Sequence, residues 1–166
     1  MDKDTLSLVD QVRGLLSELR QRGVPEDVLL GMVGKPKVGK LALTPVGLKL
    51  PDWGDLLVRL TPMERTLYIL ILRYPGGIRP DDLWMYYDEL CDIYGSQTVY
   101  DDPELIKDAV ESLCDGYKGA LYTNISRIKR KLVDKLGAMA SEPYVISKDK
   151  RGMYTISVPR NLVVGI

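Results

Sequence analysis

The sequence predicts an α+β fold in which a small antiparallel sheet, a tight pair of helices, a basic amphipathic helix and a terminal β-hairpin follow one another, preceded by one or two further helices. Three observations carry this expectation. Three short apolar runs lie between turn residues from Lys40 to Leu60. A Thr-x-x-Glu helix start at Thr61 opens two helical runs separated by Tyr74-Pro75-Gly76-Gly77. An apolar stripe of helical period from Ala120 to Leu136 is followed by two β-rich runs joined at a basic turn. At 166 residues the chain has room for one compact domain of about 100–150 residues plus an appendage.

From the N-terminus, Thr5 to Arg20 repeats apolar residues at Leu8, Val12, Leu15, Leu16 and Leu19, which is the spacing of one helix face, and it stops at Arg22-Gly23. Pairing with a second copy of residues 5–20, and docking on the chain's own body, both fit this stripe, which covers only about two heptads. A short second helix is expected over Pro25–Met32, with proline in its first turn. The Gly/Pro/Lys-rich connector Gly34–Lys40 then divides a helical segment, residues 1–36, from a main domain, residues 37–166.

In the main domain, Lys40–Leu43, Val46–Leu50 and Leu56–Leu60 read as strands, separated by Thr44-Pro45 and by Pro51-Asp52-Trp53-Gly54-Asp55. Thr61 and Glu64 form a capping box around Pro62, and the helix they open carries Met63, Leu67, Leu70 and Ile71. A second helix begins at Ile78-Arg79-Pro80-Asp81-Asp82 and runs through Leu83, Trp84, Tyr87 and Leu90. Tyr94–Asp102 reads as polar loop and Pro103–Cys114 as an acidic helix. In the Ala120–Leu136 helix, Leu121, Ile125, Ile128, Leu132 and Leu136 fall on one narrow face, opposite Thr123, Arg127 and Arg130 and flanked by Asn124, Ser126 and Lys131. Tyr144–Ser147 and Met153–Val158 read as a hairpin with Lys148-Asp149-Lys150-Arg151-Gly152 at its tip.

Net charge is zero, yet its distribution is uneven. Residues 81–115 hold eleven acidic side chains against one basic, whereas residues 116–166 hold ten basic against three acidic. A basic stripe on a helix is the footprint of a nucleic-acid face, because Lys and Arg release counterions from phosphates; a solvated surface has the same composition. The chain has no histidine, and its two cysteines, Cys91 and Cys114, have no zinc-site spacing, so imidazole catalysis and most zinc chemistry are excluded. No signal peptide or membrane-spanning run is visible, which gives the expectation of a cytoplasmic protein with no membrane partner, no cofactor and no enzymatic site.

The order of these elements, together with Leu60-Thr61-Pro62-Met63-Glu64-Arg65, Tyr74-Pro75-Gly76-Gly77-Ile78-Arg79-Pro80-Asp81-Asp82-Leu83, Ile125–Leu132 and Arg151-Gly152-Met153-Tyr154, resembles the winged helix-turn-helix output domain of OmpR/PhoB-type response regulators. The resemblance covers Leu56 to Val158. It implies a transcription regulator that binds double-stranded DNA, with the Ala120–Leu136 helix in the major groove and the hairpin tip at a neighbouring minor groove or backbone. The expected contacts are Thr123, Asn124, Arg127, Arg130 and Lys131 on the helix and Lys148, Lys150 and Arg151 on the hairpin. Arginine can bridge guanine O6 and N7, asparagine can pair with adenine, and lysine or threonine mostly holds phosphates.

Three departures stand beside the resemblance. Met1–Lys37 is too short for the family's receiver domain, so control by phosphorylation is not implied. The hairpin tip lacks one residue before Tyr154. The 81–115 segment is long and acidic, and in the family the corresponding region can contact RNA polymerase; here it fits that role, contact with another protein, shielding of the basic helix or repulsion of DNA. A module that binds proteins through this segment and the N-terminal helix is therefore the alternative function. A nucleotide-binding reading has less support: Gly34-Lys35-Pro36-Lys37-Val38-Gly39-Lys40 matches GxxxxGK, but Leu41 replaces the hydroxyl that would hold Mg²⁺, and Pro45 and Gly47 interrupt the required helix.

Overall fold

The computed structural model describes residues 2–25, 29 and 38–165. The chain divides into two compact units, Met1–Pro36 and Lys37–Ile166. In the first, α1 spans Lys3–Gln21, capped by the Asp2 carboxylate, which accepts a 2.7 Å hydrogen bond from the Thr5 amide. Most of the second helix expected over Pro25–Met32 and most of the Gly34–Lys40 connector lie outside the described residues. No described helix is long and apolar enough to cross a membrane.

The second unit is an α+β body built on a four-stranded sheet, whose strands lie in the order 56–59, 47–50, 41–44 and 163–164, and on a separate two-stranded hairpin of residues 146–148 and 154–156. Strands β1 (Leu41–Thr44), β2 (Gly47–Leu50) and β3 (Leu56–Arg59) form the expected antiparallel meander. The turn at Pro45-Val46 places Gly47 at φ 151°, where an added Cβ would sit 2.1 Å from the Val58 carbonyl oxygen, so only glycine lets β2 approach β3 there. The fourth strand, β6 (Val163–Val164), runs parallel to β1 and is not anticipated by the sequence. Two residues carry no readable alternation, and the pairing partner lies at the far end of the domain.

Helix α2 (Pro62–Arg73) begins as expected, with both halves of the capping box formed: the Thr61 hydroxyl accepts from the Glu64 amide and the Glu64 carboxylate accepts from the Thr61 amide. It buries Leu67, Tyr68, Leu70, Ile71 and Leu72, more than one face, so it is the central element of the core. The next segment differs from the expected single helix. A 3₁₀ stretch, Pro80–Tyr86, leads into α3 (Tyr87–Gln97). This helix continues into the expected polar loop because Ile93 is buried and Gln97 is held by Arg65, which donates to the Gln97 side-chain oxygen at 2.9 Å and to its carbonyl at 2.8 Å.

Helix α4 (Pro103–Cys114) follows as expected, and α5 (Ala120–Leu136) buries Leu121, Ile125, Ile128 and Leu132, the face read from the sequence. A single turn, α6 (Ala138–Ser141), carries the chain to the hairpin. Tyr144, expected in a strand, lies before β4 (Ile146–Lys148) as a fully buried residue instead. Its hydroxyl accepts from the Gly39 amide at 2.7 Å and donates to the Gly39 carbonyl at 3.0 Å, while Tyr68 donates to the Tyr144 carbonyl at 2.6 Å. These bonds satisfy polar atoms in the core and tie the start of the domain to its end.

The hairpin is anchored by an antiparallel bridge from Ile78 to Tyr154 of β5 (Tyr154–Ile156), with N–H···O distances of 3.0 and 2.8 Å. Gly77, at φ 89°, makes this approach possible, because a Cβ there would meet Met153 Cβ at 2.7 Å and Thr155 Cγ2 at 2.8 Å. Gly77→Ala is expected to destabilise the domain by about 2 kcal/mol. Hydrogen exchange should accelerate first at the Ile78 and Tyr154 amides; unchanged protection there would mean that the hairpin does not depend on this close approach.

Candidate nucleic-acid interface

Helix α5 is pinned by its buried face, and that fixes what its other face presents. Thr123, Ser126, Arg127, Lys129 and Arg130 are exposed. Tyr122, Thr123, Ser126, Arg127 and Arg130 line one shallow, open groove along the helix. Among the described residues, Arg127, Lys129 and Arg130 make no ion pair, so no carboxylate of the 81–115 segment neutralises them. A shield over the basic helix, one of the roles considered for that segment, is not formed by such pairs.

Two of the expected helix contacts are placed differently from the rest. Lys131 is half-buried, and its ammonium pairs at 2.5 Å with Glu64, whose side chain is 1% exposed. Its charge answers a carboxylate that the α2 capping box has carried into the core. Asn124 is likewise half-buried and donates from Nδ2 to the Ala120 carbonyl at 2.8 Å, one turn back in its own helix. Both commitments are tertiary or local backbone events that a helical wheel does not display. Thr123, Arg127 and Arg130 remain the exposed members of the set, and Ser126 and Lys129 join them.

The hairpin tip is ordered by Asp149. Its carboxylate accepts from the amides of Arg151 at 2.8 Å and Met153 at 3.0 Å, and it also accepts from Arg151 Nε at 2.9 Å. The Met153 amide, with the Arg151 side chain and amide, holds the Asp149 carboxyl below the ordinary aspartate range. Arg151 also donates to the Gly76 carbonyl at 3.1 Å, so its guanidinium braces the tip against the turn after α2, with its charge largely matched by Asp149. Lys148 is exposed and lies 5.9 Å from the Tyr154 ring centroid, within cation–π range. Lys150 is exposed at the tip. Burial, with a further contribution from Tyr122, pushes the Tyr154 hydroxyl up.

The acidic segment forms a surface of different character. Asp81, Asp82, Asp88, Asp92, Asp101, Asp102, Glu104 and Asp108 are exposed. Among them Trp84, 52% exposed, stacks on Tyr87 with centroids 5.5 Å apart, and Met85 is 80% exposed. Burial raises both thiols, Cys91 and Cys114, the latter to about 11, so neither is a ready nucleophile at neutral pH. Among the described residues no group of three or more His, Cys, Asp or Glu side chains is placed to hold a metal ion.

No protein-family model matches the chain, and no curated protein or solved structure is significantly similar to it.

Proposed function

We propose that residues 37–166 act as a winged helix-turn-helix module that binds double-stranded DNA, with α5 as the groove helix and the Lys148–Gly152 tip as the wing, in the service of transcription regulation. The observation that carries this reading is the outward face of α5. Three cations without carboxylate partners among the described residues, and two small hydroxyl side chains, line a helix whose other face is locked into the core. A helix of this kind fits the major groove, where Arg127 and Arg130 reach guanine edges or phosphates and Thr123 and Ser126 hold phosphates. Lys148 and Lys150 supply the wing's charge, and Arg151 shapes the tip. Lys131 and Asn124 support the helix from within.

Fluorescence anisotropy of a labelled mixed-sequence duplex at several salt concentrations tests the reading. Log affinity is expected to fall linearly with log salt, and Arg127→Ala/Arg130→Ala to reduce the slope by up to about 0.9 for each phosphate that the variant no longer neutralises. Absence of binding at low salt would remove DNA recognition by the isolated chain. Selection of a specific site from random duplexes would then extend the reading to sequence-specific regulation.

A second reading, a protein-interaction module, draws on the exposed Trp84 and Met85 within the acidic surface, a composition suited to a basic partner; RNA polymerase is the partner that the family resemblance suggests. Under it, Trp84→Ala weakens the partner's binding, and Arg127→Ala/Arg130→Ala leaves that binding unchanged.

A further inference from the structure

Helix α1 has 19 residues and buries none of them. Leu8 is 60% exposed, Val12 51% and Leu15 61%, an apolar row in contact with water. A lone helix of this length is marginal in water, and its stability ordinarily comes from packing of its apolar face. The row has a specific period. Thr5, Leu8, Val12, Leu15 and Leu19 are spaced three, four, three and four residues apart, the average of 3.5 that keeps a seam facing a supercoiled partner.

The residue types at these positions select the partner. Thr5 and Val12, both β-branched, and Leu19 occupy one set of seam positions, and Leu8 and Leu15 the other, the arrangement that favours two parallel strands. Flanking the seam, Val9 and Leu16 widen the apolar strip on one side, while Asp4, Gln11 and Glu18 lie on the other, so a parallel pair brings no like charges together across it. Along the helix Asp10 pairs with Arg13 at 3.6 Å, and Glu18 pairs with Arg22, the C-cap residue, at 2.5 Å.

We propose that α1 is a self-association element: it pairs in parallel with the α1 of a second copy of this chain as a short two-stranded coiled coil. The pairing does not rest on the DNA reading. If both hold, each assembly carries two groove helices and is expected to favour paired half-sites. With so few heptads the dimer is a weak one, so its population depends on concentration.

Light scattering coupled to size exclusion of the full chain, from about 5 to 200 μM, is the test. The mass should climb from 18.7 kDa toward twice that value. Leu8→Asp/Leu15→Asp should hold it at 18.7 kDa with the thermal midpoint of the chain unchanged. Thr5→Cys, at the seam, should cross-link under mild oxidation, with the wild type and its native Cys91 and Cys114 as the control. A monomer at every concentration, doubling that survives in the double aspartate variant, or no cross-link from Thr5→Cys would overturn the proposal. So would a lowered thermal midpoint in a monomeric double variant, which would place the stripe on the chain's own body.

Discussion

Ile128→Ala is expected to lower the unfolding free energy by about 4 kcal/mol, whereas Arg127→Ala, one residue earlier, changes it by less than about 0.5 kcal/mol. Ile128 is 0% exposed, in the middle of the buried face of α5 and within the core that α2 organises. Removing its outer methyl and methylene groups forfeits their transfer free energy and leaves a cavity that a core packed from several sides cannot easily close. Arg127 is exposed and makes no ion pair among the described residues, so the fold depends little on its side chain. Chemical denaturation of the two variants measures the first contrast. Under the proposed DNA reading, affinity for duplex at a temperature where both are folded measures the second, in which the order is expected to reverse, with Arg127→Ala the damaging change. Equal falls in stability in the two variants would mean that α5 does not sit with Ile128 inward.

Lys131→Ala is expected to destabilise the domain by about 3 kcal/mol, although lysine on a basic helix ordinarily belongs to the surface. The destabilisation arises on the partner. Glu64 stays buried without its lysine, and breaking a buried pair from one side costs more than the pair contributes in place. Glu64→Gln keeps an oxygen for the Thr61 amide while removing the charge, so Glu64→Gln combined with Lys131→Met should recover most of the stability. The salt slope of DNA binding should be nearly unchanged in Lys131→Ala at a temperature where it is folded. A slope reduced by about 0.9, with stability intact, would return Lys131 to the phosphate-binding set.

These two variants also separate what a linear reading of the chain contains from what it lacks. The α5 helix is legible because its apolar residues repeat with a helical period over 17 positions, long enough for burial on one side to leave a pattern. The start of α2 is legible because Thr61, Pro62 and Glu64 act within one turn. The hairpin and the three-stranded meander are legible from β-rich runs and turn residues that are neighbours in sequence. For the same reason the exposed Thr123, Arg127 and Arg130 can be named from the sequence: the outward face of a helix is the complement of its inward one.

What the sequence withholds are contacts between distant residues. The Lys131–Glu64 pair joins positions 67 residues apart, and the Tyr144–Gly39 bonds positions 105 apart. The parallel pairing of β6 with β1 is of the same kind. Arg65 extends α3 by holding Gln97, an effect absent from the polar composition of Tyr94–Asp102. By itself the sequence determined the amphipathic faces, the caps, the order of elements and the separation of acidic from basic charge, because each is written in residues a few positions apart. The tertiary structure alone decided which charges are committed to the core and which are left facing water, because the free energy of a buried charge depends on the partner that packing brings to it.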